Sequence, residues 1–209
     1  MRKTTIFTFM LISFLFTAYG QTQSGSNESA YQINGEIEEQ IEEKVKTFNG
    51  VTKGSMDFKI YQNDSLIADT DSKGKSIECL LMTNLTSDTV NITGFMGMFA
   101  GFGYQIELFN DTCLVSYFAI SDAEIYKLNK TDSLTFGVSV PCKSYKLTLT
   151  KKPIIKKGEI ISGIVELESE EYFEVANGDE NKYRVVLKGY FRTEPLQTLD
   201  DKLKQLEKK

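Results

Sequence analysis

The sequence predicts an all-β protein: an antiparallel β-sandwich, Ig-like or jelly-roll-like, with about 9 to 11 short strands and a short helix near each terminus. From residue 55 onward, apolar and polar residues alternate with the period of two that half-buried strands show. Turn signals built from Asn, Asp and Gly separate these segments at intervals of about ten residues. This spacing favours a sandwich or barrel over βαβ units.

The chain divides into five segments by composition and pattern. They are a signal peptide at 1–20, a disordered leader at 21–34, a helix and linker at 35–54, the β-sandwich domain at 55–195 and a helical tail at 196–209. One domain of this length is enough to bury a substantial core.

The first 20 residues have the anatomy of a secretory signal peptide. Two basic residues, Arg2 and Lys3, precede an apolar run at 6–16, and a small-residue motif ends at Gly20. We therefore expect cleavage between Gly20 and Gln21, which gives a secreted, periplasmic or cell-surface protein. The apolar run is shorter than the roughly 20 residues that a membrane span requires, and no later segment is long and apolar enough, so we expect no stable membrane span.

The charge balance disfavours nucleic acid as a partner. Removing Arg2 and Lys3 leaves 22 basic and 29 acidic residues, a net charge of −7. Phosphate backbones are bound by clustered Lys and Arg, which an acidic surface does not offer. We therefore expect a protein or glycan partner of unknown identity, and the sequence leaves the oligomeric state open.

Three cysteines lie inside the predicted mature chain: Cys79, Cys113 and Cys142. In an oxidising compartment one pair can close, and we favour Cys113 with Cys142. The alternative is that all three are buried, small apolar residues. The chain has no histidine and no Cys-x-x-Cys pair, so we predict neither a metal site nor a cofactor.

A helix is predicted at the start of the domain. Ile33, Ile37, Ile41 and Val45 recur every four residues, which fits one stripe of a helix. The same residues also share one parity, so a strand is the alternative. The glutamates of this segment are interpreted as its solvated face.

Strand character then continues along the chain. The segments are 56–60, 66–68, 77–82, 90–92, 104–109, 112–120, 134–140 and 145–149. Segment 77–82 is apolar on both parities, as in a central strand. Segments 134–140 and 145–149 form two apolar faces joined at 141–143.

The last two strands, 161–175 and 183–192, give the clearest long-range inference. One parity of the first strand carries glutamates, including Glu166, and one parity of the second carries basic residues, including Lys188. Paired as a hairpin, the two rows lie opposite each other and help to fix the register. We interpret these glutamates as structural. After Pro195, leucines on helical spacing predict the C-terminal helix.

The residue types present restrict catalysis. Without histidine, Ser-His-Asp and Cys-His nucleophiles are excluded. Paired carboxylates can still hydrolyse glycosides, so a carboxylate-dependent glycan hydrolase is the alternative from the enzyme class. The patterned glutamates, however, face outward in a ladder.

The glycine-rich stretch from Gly94 to Gly103 has two interpretations. It is either bulged strand and core, with glycines where backbones approach closely, or a hinged loop that presents an apolar patch to a partner or a membrane surface. The candidate binding residues there are Phe95, Met98, Phe99, Phe102 and Tyr104.

The sequence therefore predicts an exported, non-catalytic β-sandwich protein that acts in binding or as a surface component, with an unknown ligand. The alternatives are the glycan hydrolase above and a membrane-interacting protein that uses the apolar loop at Gly94–Gly103.

Overall fold

The all-β prediction is confirmed, because strands make up most of the described chain. The computed structural model describes residues 31–46, 55–69, 79–86, 88–97, 100–109, 111–198, 200–201 and 204. Its strands are β1 (Gln32–Ile33), β2 (Ser55–Gln62), β3 (Ser65–Asp69), β4 (Cys79–Leu85), β5 (Thr89–Gly97), β6 (Gly101–Phe109), β7 (Thr112–Ile120), β8 (Tyr126–Lys127), β9 (Gly137–Leu149), β10 (Ser162–Ser169), β11 (Tyr172–Ala176), β12 (Asp179–Tyr183) and β13 (Val185–Arg192). The α-helix of this part is α1 (Glu38–Lys46), which follows a 3-10 turn at Gly35–Ile37.

The strands form a curled half-barrel rather than the two separate sheets of the predicted sandwich. Ten strands share one sheet in the order β3-β2-β13-β10-β9-β7-β6-β5-β4, with β1 parallel to the end of β9. The sandwich prediction fails at β9, which has 13 residues and pairs with β7 through its first part and with β10 through its second. Because the hydrogen bonding continues through β9, the sheet bends without dividing. A small sheet, β12-β11-β8, lies beside it.

A bulge in β9 explains why the sequence shows two apolar faces there. The register of β9 against β10 shifts beside Lys143. Val138 and Val140 are buried before the shift, whereas Leu147 and Leu149, on the opposite parity, are buried after it. One extra residue in a strand moves every following side chain to the other face, so the two apolar segments belong to one strand.

The concave surface of the curled sheet holds the core. Its fully buried side chains include Ile60, Ile92, Tyr104, Ile106, Leu108, Leu147 and Phe191. The two arms of the sheet meet inside it, where the ring centroids of Tyr104 on β6 and Phe191 on β13 are 6.5 Å apart.

Helix α1 covers part of the convex surface. Ile41 and Val45 are buried, and the helix contacts β13, β2 and β10. Arg192 Nη1 on β13 lies 3.0 Å from Glu38 Oε1 and 3.4 Å from Glu42 Oε1. Two of the helix glutamates therefore bind the sheet, in contrast to the solvated face that the sequence suggested.

The acidic and basic rows of the last strands do lie opposite each other. Glu166 is the register partner of Lys188, and Lys188 Nζ lies 2.6 Å from Glu166 Oε1. The connection is longer than a simple hairpin, since the chain passes through β11 and β12 between β10 and β13. The turn at Asn177 and Gly178, with φ of 55° and 90°, has the two-residue geometry that an Asn-Gly pair favours.

The predicted disulfide between Cys113 and Cys142 is wrong. The two cysteines are not joined, because the register of β7 and β9 does not place them opposite each other. Ser116 pairs with Pro141 in this antiparallel pair, so Cys142 is level with Val115, two residues away from Cys113. Burial raises the pKa of the Cys113 thiol to about 11 and that of Cys142 to about 12.

The C-terminal segment begins with a capping pattern. Asp201 N donates to Thr198 Oγ1 at 3.3 Å, and Thr198 N donates to Asp201 Oδ2 at 3.4 Å. This reciprocal arrangement is typical of a helix start. Most of the predicted C-terminal helix, and the predicted signal peptide, lie outside the described residues.

Candidate functional site

The strands β4, β5, β6 and β7 contain a single charged residue, Glu107. Charged residues make up 25% of the whole chain, so their near absence from four neighbouring strands sets this part of the sheet apart. The inward positions of these strands fill the core, as Ile106 and Leu108 on β6 show. The outward positions, by contrast, would ordinarily carry Lys, Glu or Asp.

The register aligns these outward positions into rows that cross the strands. One row is Met82, Thr93, Gln105, Ser116 and Pro141; the next is Phe95, Gly103, Phe118 and Ser139; the last is Gly97, Gly101, Ile120 and Gly137. We call these three rows the uncharged face. The next row toward the β6–β7 turn contains Glu107, whose Oε1 accepts a hydrogen bond from Gln105 Nε2 at 3.0 Å. Glu107 therefore marks the edge of the uncharged face.

Hydrogen-bonding groups and aromatic carbon lie side by side on this face. Thr93, Gln105 and Ser116 are half-buried neighbours on three adjacent strands. In the next row, the rings of Phe95 and Phe118 stack with their centroids 5.9 Å apart and their planes 12° from parallel. The surface thus offers amides, hydroxyls and ring edges without an ionised group in these rows.

Two glycines of the stretch at 94–103 are required by close contacts. A Cβ atom on Gly94 would lie 2.5 Å from Cε1 and Cζ of the Tyr104 ring on the inner side. A Cβ atom on Gly103 would overlap the carbonyl oxygen of Gly94. The glycines therefore stand where the backbones of β5 and β6 and an aromatic ring leave no room for a side chain.

The structure separates the binding residues that the sequence groups together. Phe95 lies on the uncharged face and is 6% exposed. Phe102 and Tyr104 lie on the concave side, where Phe102 is half-buried and Tyr104 is fully buried. Met98 and Phe99 lie outside the described residues. The assignment of all five residues to binding stays a prediction. Of Phe95, Phe102 and Tyr104, which the structure describes, only Phe95 lies on the convex surface.

The other half of the convex surface is densely charged. One row crosses β9, β10, β13, β2 and β3 as Lys146, Glu166, Lys188, Lys59 and Asp69. A shallow depression of about 460 Å³ lies over it. Charged groups of this half bind one another. Lys59 Nζ is 3.0 Å from Asp69 Oδ2, and the neighbouring Lys143 and Arg184 lower the pKa of the Glu168 carboxyl. In these ion pairs the opposite charges neutralise each other.

A tyrosine cluster lies beneath the small sheet. The ring centroids of Tyr117 and Tyr172 are 5.7 Å apart, those of Tyr126 and Tyr172 are 6.3 Å apart, and Gln62 Nε2 donates to Tyr172 Oη at 3.2 Å. Burial raises the pKa of Tyr126 to about 12. Because the rings pack against one another and are buried, the cluster belongs to the core.

One carboxyl group borders this cluster. Glu174 on β11 is the register partner of Tyr126 on β8, and burial raises the pKa of Glu174. Among the described residues, no three His, Cys, Asp or Glu side chains are placed to hold a metal ion. Glu174 is the one carboxyl group of the described residues whose pKa is raised.

The sequence pattern did not reveal Thr93, Gln105 and Ser116 as a group. Each stands alone in its own segment, and only the register brings them into one row. The available signal was the near absence of charge on the polar parity of four consecutive strands, where Glu107 is the single charged residue.

No family model, no curated protein and no solved structure matches this chain. In the part of the chain that is described, no helix has the length and apolar character needed to cross a membrane.

Proposed function

We propose that the protein is exported, with cleavage between Gly20 and Gln21, and that it acts without catalysis by binding a partner through the uncharged face. The N-terminal pattern supports export, since basic residues, an apolar run and small residues follow in the order of a signal peptide. The proposal includes the C-terminal helical tail at 196–209, which the capping pattern at Thr198 favours.

The observation that carries the binding proposal is the lack of charge on an outward sheet face whose side chains are mostly half-buried, with Met82 and Ser139 exposed. Soluble proteins keep exposed sheet faces and edges charged because charge prevents unwanted association. Thr93, Gln105 and Ser116 instead place neutral groups where ions are expected, next to the rings of Phe95 and Phe118. Depletion of charge and enrichment of aromatic side chains are the features that distinguish the centre of a binding surface.

A matched pair of substitutions tests this proposal. Ser116 and Ser144 both occupy outward positions of the sheet, the first on the uncharged face and the second on the charged half. We expect the wild type to co-sediment with its partner in extracts of the producing cells. Ser116→Lys should remain in the supernatant, because binding would then require an ammonium group to be desolvated in the interface. Ser144→Lys adds the same charge beside existing ions and is expected to leave the distribution as in the wild type. Equal distributions for all three proteins would contradict the proposal.

The catalytic alternative has its own test. The purified protein is assayed for turnover of panels of glycans and esters. Turnover that is abolished by substitution of a single Glu or Asp would overturn the proposal that the protein acts without catalysis. Glu174→Gln is the first variant to examine, because burial raises the pKa of this acid as an acid catalyst would require. We expect no such turnover.

A further inference from the structure

The chemistry of the uncharged face restricts what binds it. Its polar side chains are a threonine, a glutamine and serines, which exchange neutral hydrogen bonds with hydroxyl groups. An anionic ligand would lose hydration there without meeting an opposite charge. A cationic ligand would meet one only at the edge, where Glu107 already accepts a hydrogen bond from Gln105. The complement of this face is therefore a neutral ligand that is rich in hydroxyl groups.

Aromatic carbon adds a second requirement. Phe118 is half-buried, and its ring stacks with Phe95 beside the row of Thr93, Gln105 and Ser116. A ligand that covers both rows must offer C–H surface to the rings as well as hydroxyl groups to the amide and hydroxyl side chains. A pyranose ring has both, since its C–H bonds and its hydroxyl groups project from different sides of the ring.

The size of the face argues against a second folded protein. The thirteen positions of the face, with strands about 4.8 Å apart and rows about 6.8 Å apart, cover an area of about 420 Å². A stable protein interface buries about 800 Å² on each partner, so the face is too small for one. The spacing between strands is close to the length of one sugar ring, so a linked chain that crosses β5, β6 and β7 meets about one strand per ring.

We propose that the uncharged face binds a neutral glycan chain that lies across β5, β6 and β7. Gln105 and Ser116 hydrogen-bond its hydroxyl groups, and Phe118 contacts its C–H surface. This inference rests on the proposed binding function and specifies the ligand class for the same face.

The test is a titration of the ¹⁵N-labelled protein, followed by NMR. The probes are neutral hexasaccharides of β-linked glucose, α-linked glucose and mannose, compared with an oligogalacturonate, an uncharged Gly/Ser/Gln peptide and phosphatidylcholine vesicles. We expect a neutral saccharide to shift the amide signals of Thr93, Gln105, Ser116 and Phe118. Ser116→Lys should weaken binding by about tenfold, the loss that follows when one hydrogen-bonded group leaves a contact. Ser144→Lys should bind within about twofold of the wild type.

The outcomes separate this inference from the proposed function. If no neutral saccharide shifts these signals, or if the peptide, the vesicles or the acidic oligomer shifts them instead, the glycan inference is overturned. If no saccharide binds but co-sedimentation in cells still depends on Ser116, the proposed binding function stands and only the glycan ligand is wrong. Gln105→Lys serves as a second variant, because it places a charge at a half-buried position in the same row of the outward face, away from the core. If neither lysine variant weakens saccharide binding, the location on this face is wrong.

Discussion

Phe95 and Phe118 belong to strands that do not pair with each other, yet their rings stack at 5.9 Å across Gly103. Gly103 lies between them in the same row and has no side chain to separate the rings. The arrangement needs all three residues, because the two rings can stack only where the residue between them has no side chain. The glycine-rich stretch is thus part of how the uncharged face is built.

A methyl group at Gly103 should destabilise the protein. The added Cβ would overlap the carbonyl oxygen of Gly94, and forcing an atom into a packed region costs about 1 to 3 kcal/mol. We expect Gly103→Ala to lower the free energy of unfolding by this amount in urea denaturation. Gly35→Ala is the control, because a Cβ there lies 3.7 Å from its nearest neighbour, the Thr150 carbonyl oxygen. Equal stability of the two variants would show that the contact at Gly103 is not tight.

The cross-strand pair of Glu166 and Lys188 should contribute little to stability. Glu166 raises the pKa of Lys188, but both side chains are largely exposed and such pairs contribute about 0.2 to 1 kcal/mol. A double-mutant cycle with Glu166→Gln and Lys188→Gln, measured in urea, should give a coupling energy in this range that falls with added salt. A coupling several times larger would mean that this pair holds the register by itself.

Glu174→Gln should stabilise the protein near neutral pH. Burial raises the pKa of Glu174 in the folded protein, so its protonated form favours folding, and that stability is lost as the pH rises through the raised value. The gain from glutamine should therefore be larger at pH 7 than at pH 4 in thermal unfolding. Glu170→Gln, at an exposed position, is the control. A gain that does not depend on pH would assign the effect to something other than ionisation.

Cys113 and Cys142 should react slowly in the folded protein. Their pKa values, raised by burial to about 11 and about 12, leave little thiolate at pH 8, and the thiolate is the reactive form. Alkylation with iodoacetamide followed by mass spectrometry should label both residues only after denaturation. A peptide mass that joins Cys113 to Cys142 before reduction would contradict the structure.

The alternation of apolar residues was sufficient to locate most strands. β6 and β7, with the turn between them, and the pairing of Glu166 with Lys188 follow from patterns within one or two neighbouring segments. The two-residue strands β1 and β8 were not predicted, because two residues show no periodicity. The continuity of β9 was missed since its bulge beside Lys143 inverts the parity and imitates two strands. A curled sheet therefore resembled a sandwich.

The candidate site was predictable only in part. The sequence drew attention to 94–103 because glycines and phenylalanines stand out there, and Phe95 does lie on the convex surface. Tyr104, which directly follows this stretch, is instead a core residue whose ring packs under Gly94. Thr93, Gln105 and Ser116 form a row only after β5, β6 and β7 are paired, so their common position depends on the register and not on any single segment.

The central claim, that the uncharged face is covered by a partner where the protein works, is tested most directly by hydroxyl-radical footprinting. The oxidation of Met82 and Phe118 in producing cells is compared with that in the purified protein, with Tyr61 and Leu66 on the charged half as internal controls. We predict that Met82 and Phe118 are protected in cells while Tyr61 and Leu66 are oxidised equally in both. Equal oxidation of all four residues in cells and in solution would contradict the claim.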